Sequence, residues 1–158
     1  MKSQTKKIPK IRFDPEVCSL LKDYRQRKRF SKEACGVLIG TLTKSLEMGI
    51  CEATPPGKKD RRRRGSFELC DPSHQRAVEQ RFQASKGKQR FLGTWHTHPE
   101  SVPVPSTPDI RGWEQCREEN PDFPHLIFVI VGTGCLCVFQ MGKECFEEVT
   151  RLEFENDH

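Results

Sequence analysis

Two histidines separated by one residue close a short apolar segment in the middle of the chain, Phe91 to His98. The length and composition of this segment favour a β-strand, in which residues two positions apart face the same side. His96 and His98 are therefore expected to point to one side of a sheet, and Trp95 and Thr97 to the other. The fold has to place this strand so that both imidazoles reach a common point.

A carboxylate follows the histidine pair at Asp109, beyond a proline-rich loop. Ser106 or Thr107 can cap a helix that has Pro108 in its first turn. The loop can fold back and hold the Asp109 carboxylate near the imidazoles. Two nitrogens and one oxygen leave the fourth position of a tetrahedral ion open to water, as in catalytic zinc sites. The pattern predicts one Zn²⁺ ion bound by His96, His98 and Asp109.

A base for such a site is offered by Glu33, which directly precedes the apolar segment Ala34 to Leu42. A carboxylate at the entrance of a strand can take a proton from water and pass it to a leaving amine. We therefore expect Glu33 to be the general base. The patterns of other zinc hydrolases, a His-Glu-x-x-His helix or a Pro-Cys-x-x-Cys deaminase segment, are absent from the sequence.

Glu33, the His96-x-His98 pair, Ser106 and Asp109 together resemble the JAMM motif of the MPN metalloprotease family. The resemblance extends over most of the chain. In detail, the chain is similar to the prokaryotic JAB branch of this family. Within that branch the chain resembles the deconjugating peptidases of bacterial CBASS anti-phage operons. The segments that carry this further likeness are Thr54-Pro55-Pro56, Asp60-Arg61-Arg62, Gly93 to Glu100 and Pro105-Ser106.

The resemblance implies a zinc-dependent isopeptidase or peptidase, with Ser106 donating a hydrogen bond to the developing oxyanion. Its substrate would be the amide bond between the C-terminus of a ubiquitin-like or conjugated protein and its target. The implied partners are a protein substrate with an extended C-terminal tail, a CBASS nucleotidyltransferase as the conjugated protein, and a ubiquitin-ligation-like E1/E2 enzyme. Two alternatives stay open at this point: a peptidase that trims a sulfur-carrier protein or a short tail, and a non-catalytic MPN scaffold.

The pattern of elements predicts a single α+β domain over residues 1–158, with a mixed β-sheet flanked by helices. The predicted order is β-α-β-β-α-β-α-β-β-β, and the resemblance implies the JAB/MPN fold, which is cytidine-deaminase-like. The first helix is expected to begin at Pro15 and to end between Gln26 and Arg29, where basic residues suit its C-terminus. The second is expected to turn Val78 and Phe82 inward.

Basic residues are concentrated between Gly57 and Gly65, which hold six basic residues and one acidic residue in a chain of net charge +5. Two interpretations of this loop stay open: a solvated, mobile excursion, or a flap beside the zinc site that binds an acidic patch on the substrate. Nucleic acid is not the predicted partner, because aromatic residues do not interleave with the charges. The candidate substrate-binding residues are Lys58, Lys59, Arg61, Arg62, Arg63 and Arg64.

Eight cysteines without any Cys-x-x-Cys spacing predict reduced, mostly buried thiols rather than disulfides or a second zinc site. The longest apolar run, Leu126 to Val131, is far shorter than the roughly 20 residues that a membrane-spanning helix needs. The basic N-terminus is not followed by the apolar segment of a signal peptide. We therefore expect a cytoplasmic protein without membrane contact.

Overall fold

The computed structural model describes residues 7–155; residues 1–6 and 156–158 of the predicted 1–158 domain lie outside the described residues. The strands are β1 Lys10–Phe13, β2 Cys35–Leu42, β3 Glu47–Ala53, β4 Arg61–Arg62, β5 Phe67–Glu68, β6 Arg90–Thr97, β7 Ile127–Val131, β8 Cys135–Met141 and β9 Phe146–Glu153. The helices are α1 Pro15–Asp23, α2 Ser73–Ala84 and α3 Thr107–Glu119.

Seven strands form one mixed sheet in the order β1-β3-β2-β6-β7-β8-β9. The histidine strand β6 lies inside this sheet, antiparallel to β2 and parallel to β7. Strand β1 lies at one edge, parallel to β3, which agrees with the proline that precedes it. The α+β class, the mixed sheet and the predicted order of elements are confirmed. The hairpin of β4 and β5 is an addition that the sequence pattern did not predict.

The core lies around the inner strands, because β7 is wholly buried and β8 is buried up to its last residue. Trp95 is also fully buried, and its indole Nε1 donates a hydrogen bond to the Thr54 carbonyl oxygen at 3.0 Å. Trp113 stacks on Phe128 with ring centroids 5.0 Å apart. The prediction that Trp113 packs in the core is confirmed, and this packing seats α3 against the sheet.

Two glycines allow backbones to approach closely next to β6. A Cβ atom at Gly36 would lie 2.0 Å from the Thr54 carbonyl oxygen, so no side chain fits on this part of β2. Gly93 has a φ of +147°, and a Cβ atom there would lie 1.7 Å from the Ile127 carbonyl oxygen. The first contact brings β2 against Thr54, which follows β3, and the second brings β6 against β7.

Helix α1 ends at Asp23, so the prediction of an end between Gln26 and Arg29 is wrong. Gln26 is buried, and its amide Nε2 donates a hydrogen bond to the Ser31 carbonyl oxygen at 3.0 Å. Basic residues near a helix C-terminus contribute only about 0.3–1 kcal/mol. The hydrogen bonds of a buried amide outweigh that preference, because an unpaired amide would cost about 1–3 kcal/mol.

Helix α2 packs differently from the prediction, since the Phe82 side chain is 51% exposed and Val78 is half-buried. The buried residue of this helix is His74, in its first turn. A polar contact in the first turn therefore supplies the buried residue of α2, with Val78 only half-buried behind it. No helix within residues 7–155 combines the length and the apolar character needed to cross a membrane.

All eight cysteines lie within the described residues and are free thiols, as predicted. Only Cys35, Cys135 and Cys137 are buried, so the prediction that most of them are buried is wrong. The Sγ atoms of Cys135 and Cys137 are 4.0 Å apart on one face of β8, beyond bonding distance. Burial raises the pKa of the Cys35 thiol to about 12. Cys35 lies two residues from Glu33, and its thiol stays protonated and is a poor nucleophile.

Candidate metal centre

Strand β6 and helix α3 bring together the three side chains predicted to bind a metal. His96 and His98 project from the same face of β6, as the two-residue period predicts, and Asp109 lies in the first turn of α3. The exposed fractions of these residues are only 0%, 6% and 8%. Within the described part of the chain, His96, His98 and Asp109 are the group of side chains arranged to hold a metal ion.

The donor atoms of this group lie at nearly equal distances. His96 Nε2 and His98 Nε2 are 3.1 Å apart, and the two carboxylate oxygens of Asp109 lie 3.2 Å and 3.1 Å from them. Zn–N and Zn–O bonds of about 2.0–2.2 Å place tetrahedral ligands roughly 3.3 Å from one another. The three residues therefore fit a tetrahedral ion with one open position. Two neutral imidazoles and one carboxylate also balance part of a divalent charge.

The turn that starts α3 fixes the Asp109 carboxylate. Its Oδ2 accepts a hydrogen bond from the Ser106 backbone N–H at 2.8 Å, and Ser106 Oγ accepts one from the Asp109 N–H at 3.3 Å. This reciprocal pair is a capping box, with an aspartate in place of the usual glutamate or glutamine. Ser106 is the N-cap, as predicted. Its hydroxyl accepts in this bond and keeps its own proton free to donate.

Glu33 lies beside the metal-binding residues, with its Oε1 3.7 Å from His98 Nε2. The residue is only 3% exposed, and among the described residues its Oε2 has no hydrogen-bond partner. Burial raises the pKa of Glu33 to about 7; the nearby His98 opposes this, and Asp109 and Glu100 add to it. The carboxyl group can therefore both take up and release a proton near neutral pH.

The metal-binding side chains also shift one another's pKa. Burial lowers the pKa of His96 against the opposing hydrogen bond to Asp109. For His98, burial is outweighed by the hydrogen bond to Asp109 and by nearby carboxylates, and the pKa rises. Burial would raise the pKa of Asp109, but hydrogen bonds from both imidazoles hold it well below its usual range. Asp109 therefore stays ionised, and a cation can replace the proton that it shares with His98.

A buried polar cluster joins the histidine strand to the segment that carries Glu33. Thr97 Oγ1 accepts a hydrogen bond from the Ala34 backbone N–H at 2.9 Å and donates one to Gln26 Oε1 at 2.8 Å. The Thr97 N–H donates in turn to the Ala34 carbonyl oxygen at 3.0 Å. Sequence reasoning missed Gln26 and Thr97 in this role. The polar Thr97 on the buried face of β6 was the available signal.

The basic loop between Gly57 and Gly65 contains regular structure, because its residues Arg61–Arg62 form strand β4 of the β4–β5 hairpin. Two of its arginines hold the backbone of Glu33. The guanidinium of Arg62 donates through Nε to the Glu33 carbonyl oxygen at 2.8 Å, and the Arg63 carbonyl oxygen accepts from the Glu33 N–H at 2.8 Å. The ring of Phe67 lies 4.7 Å from that of His96. The hairpin therefore lies directly beside the candidate metal centre.

Among residues 7–155, no contact joins the other candidate residues of the loop to the metal-binding side chains. Arg61 pairs with Glu68 across the hairpin at 3.5 Å. The Arg64 carbonyl oxygen accepts a hydrogen bond from Gln26 Nε2 at 3.4 Å. Lys58 and Lys59 are exposed.

A second polar cluster anchors the other end of the loop. His74 bridges Thr54 Oγ1, 2.6 Å from its Nδ1, and Asp60 Oδ2, 2.6 Å from its Nε2. Asp60 also accepts hydrogen bonds from the backbone N–H groups of Gly57 and Asp71. His74 is thus a hydrogen-bonded histidine outside the metal group.

Comparison with known proteins identifies relatives over most of the chain. The family described as prokaryotic homologues of the JAB domain matches residues 23–146. A CD-NTase/cGAS isopeptidase of Escherichia coli strain TW11681 is 41% identical over 138 residues, which cover 87% of this chain and 84% of that protein. The isopeptidase of the same name from Vibrio cholerae serotype O1 is 36% identical over 134 residues, 85% of this chain and 81% of the relative.

Solved structures support the fold. A protein from Desulfitobacterium hafniense superposes with a TM-score of 0.58 at 22% identity, covering 87% of this chain and 88% of that one. A protein from Salinibacter ruber gives a TM-score of 0.52 at 18% identity, covering 92% and 93%. At these identities the likeness concerns the arrangement of the sheet and helices alone.

Proposed function

This chain belongs to the family of prokaryotic homologues of the JAB domain, and we propose that it is a zinc-dependent isopeptidase. It hydrolyses the amide bond between the C-terminus of a conjugated protein and its target. The conjugated protein is a CD-NTase, the substrate class in the names of the relatives. The observation that supports this best is the meeting of His96, His98 and Asp109 with the Glu33 carboxyl group 3.7 Å away.

His96, His98 and Asp109 hold the ion in this proposal. Their spacing matches a tetrahedral cation, and the oxygen and nitrogen donors are those that zinc accepts. A bound Zn²⁺ supplies a Lewis acid for the amide carbonyl and lowers the pKa of water to about 7.

Glu33 is the proton carrier. Its buried carboxylate lies 3.7 Å from His98 Nε2, accepts a proton from the attacking water and then delivers it to the departing lysine amine. The hydrogen bonds of its backbone to Arg62 and Arg63 fix the main chain from which the side chain projects. The buried position excludes bulk water, so the proton passes between water, Glu33 and the amine.

Ser106 donates a hydrogen bond to the oxyanion that develops on the scissile carbonyl. Its hydroxyl oxygen already accepts from the Asp109 N–H, which orients the group and leaves the O–H free. The residue is exposed, so a substrate can reach it. One donor of this kind contributes about 2.7–4 kcal/mol in enzymes where it has been removed.

The substrate approaches with an extended C-terminal tail. Strand β6 is paired on both sides, so a tail cannot add to it as a new strand. Among the described strands beside the centre, β4 and β5 form a two-stranded sheet, and each has one edge without a strand neighbour to which an extended tail can add. A ubiquitin-ligation-like E1/E2 enzyme makes the conjugate in this proposal, and the reaction takes place in the cytoplasm, where the free thiols stay reduced.

The test uses a CD-NTase joined through its C-terminal carboxyl group to a fluorescent protein. We expect the purified protein to release the fluorescent protein, and a chelator to stop the reaction until zinc is restored. The Glu33→Gln variant should keep zinc, measured by elemental analysis, and lose at least a hundredfold in kcat. That combination separates the proton carrier from the metal-binding residues.

Three results would contradict the proposal. Cleavage that continues in chelator excludes the metal. A Glu33→Gln variant with unchanged kcat excludes Glu33 as the proton carrier. Release from a sulfur-carrier fusion but not from the CD-NTase fusion replaces the substrate class and leaves the chemistry intact.

A further inference from the structure

We propose that two basic segments next to the candidate metal centre form one docking surface for an acidic face of the conjugated protein. The first segment is residues 25–32 and the second is residues 61–64. This inference rests on the proposed function, because it assigns the surface to the substrate of that reaction. It adds the protein-level contact by which the substrate is selected before its tail reaches the centre.

The two segments are far apart in the sequence and adjacent in the fold. Gln26 joins them, since its amide Nε2 donates to the Ser31 carbonyl oxygen of one segment and lies 3.4 Å from the Arg64 carbonyl oxygen of the other. The hydrogen bond from the Glu33 N–H to the Arg63 carbonyl oxygen makes a second link, directly after the first segment. One continuous surface therefore extends from both segments to the proton carrier.

The charge of this surface is predominantly positive, and Glu68 on the neighbouring β5 offsets one charge by pairing with Arg61 at 3.5 Å. The two segments hold nine of the 27 basic residues and no acidic residue, which leaves 18 basic against 22 acidic residues in the rest of the chain. The first segment does not stand out in a count along the sequence, because acidic residues elsewhere offset it. The exposed basic side chains are those of Arg27, Lys28, Arg29, Lys32, Arg61, Arg63 and Arg64.

An apolar anchor lies among these charges. Phe30 is 83% exposed, more than any other large apolar side chain within residues 7–155. The Arg29 guanidinium lies 5.7 Å from the centre of its ring. An exposed aromatic residue beside arginines is the composition typical of binding hot spots in protein interfaces. Nucleic acid is less well matched, because Phe30 is the one aromatic side chain in the two segments.

The occupant is therefore an acidic protein surface with an apolar recess, located near the exit of the C-terminal tail. Opposite charges at the edge of an interface speed association and give it a strong dependence on salt. Hydrolysis of the scissile bond requires only that the tail be bound at the metal centre. The docking surface therefore determines which tail-bearing protein is selected. Selection of one conjugate among many follows from this second contact.

The test compares two substrates that share a tail and a leaving group: the whole CD-NTase joined to a fluorescent protein, and a peptide of its last ten residues joined to the same protein. The docking variant carries Lys28→Glu, Arg29→Glu and Lys32→Glu. The matched control carries the same change in charge on remote turns, at Lys44→Glu, Lys88→Glu and Lys143→Glu; all six lysine and arginine side chains are exposed.

We expect the ratio of kcat/KM for the whole conjugate to kcat/KM for the peptide to fall at least tenfold in the docking variant and less than twofold in the control. The loss should shrink as salt rises, since exposed charges are screened over about 10 Å at 0.1 M salt. Phe30→Ala should lower the same ratio without changing its salt dependence. An equal loss on both substrates, or an unchanged ratio, overturns the proposal.

A binding measurement keeps the two proposals separate. Fluorescence anisotropy of the whole conjugate on the Glu33→Gln background reports docking without cleavage. Tight, salt-dependent binding that the docking variant loses supports the surface even where no substrate is cleaved. Binding of a single-stranded oligonucleotide tighter than that of the conjugate, lost in the same variant, overturns the proposal in favour of nucleic acid.

Discussion

Replacing Thr97 by valine tests the buried cluster that joins the histidine strand to the Glu33 segment. Valine has nearly the shape of threonine but removes the hydroxyl that accepts from the Ala34 N–H and donates to Gln26 Oε1. Both partners are fully or almost fully buried. The Ala34 N–H and the Gln26 Oε1 atom would each lose the hydrogen bond to this hydroxyl, at about 1–3 kcal/mol apiece. We expect the free energy of unfolding to fall by about 3 kcal/mol.

Urea denaturation followed by tryptophan fluorescence measures this loss, because Trp95 is next to the substituted residue and fully buried. The slope of the transition should stay unchanged while the midpoint moves to lower urea. Thr150→Val in β9 is the matched control. Its hydroxyl makes no hydrogen bond within residues 7–155, so the free energy of unfolding should change by no more than about 0.5 kcal/mol.

A double-mutant cycle with Gln26→Met isolates the contact between the two side chains. We expect a coupling free energy of about 1 kcal/mol, because the second substitution costs less once the hydrogen bond is already gone. The reasoning is refuted by a Thr97→Val loss below about 1 kcal/mol, or by a loss equal to that of Thr150→Val. Either result means that the cluster does not stabilise the fold around the Glu33 segment.

Three further predictions concern Asp109 in the metal-binding group, the close strand contact at Gly36, and Asp60, which anchors the basic loop. Asp109→Asn should lower zinc affinity at least tenfold in a competition with a chelator. In the metal-free protein it should lower the free energy of unfolding less than Asp109→Ala does, because alanine also loses the hydrogen bond from the Ser106 N–H, which contributes about 1 kcal/mol. Gly36→Ala should lower the free energy of unfolding, measured by urea denaturation, by about 3 kcal/mol, since the added Cβ would clash with the Thr54 carbonyl oxygen. Gly112→Ala is the control: there is open space around this residue, so the substitution should stabilise α3 by about 0.5–1 kcal/mol. Asp60→Asn should flatten the acid loss of stability below about pH 4, measured by urea midpoints.

The sign of the last prediction follows from the environment of Asp60. Burial would raise the pKa of this carboxyl group, but hydrogen bonds from the Asp71 N–H, His74 and the Gly57 N–H outweigh it and lower the pKa below 3.8. A carboxylate with a lowered pKa stabilises the fold above its unfolded pKa, and this stability is lost as the pH falls through the folded pKa. Equal acid slopes in the wild type and the variant would contradict this account.

The other two predictions have their own opposing outcomes. If Asp109→Asn left zinc affinity unchanged, the Asp109 carboxylate would not be a ligand of the metal. A Gly36→Ala protein as stable as the wild type would mean that β2 and β3 separate without cost at this point. A Gly112→Ala protein less stable than the wild type would place an unseen neighbour against α3.

The sequence was sufficient to predict the elements whose side chains repeat with a fixed period. His96 and His98 lie together because a strand has a period of two, and Asp109 follows them because Ser106 caps a helix in the expected way. Glu33 was predicted from its place before β2, and it lies beside His98. In each case one local rule governed the geometry, and no distant contact opposed it.

Features that depend on contacts between distant segments were not predictable in this way. The end of α1 was misplaced because Gln26 is held by residues up to 71 positions away, which no local preference reveals. The orientation of Phe82 was wrong because His74 anchors α2 through Thr54 and Asp60. The first basic segment, residues 25–32, was overlooked because the sum of charges along a chain carries no information on which segments meet.

The turn from Ser106 to Asp109 gives one carboxyl group two tasks: it begins a helix and forms a corner of the metal-binding group. Transplanting the centre into another scaffold would accordingly require moving this turn intact, together with the first turn of its helix. An aspartate grafted without this turn would lack the hydrogen bonds that fix its side-chain torsion angles, and the new scaffold would have to orient its carboxylate by other contacts.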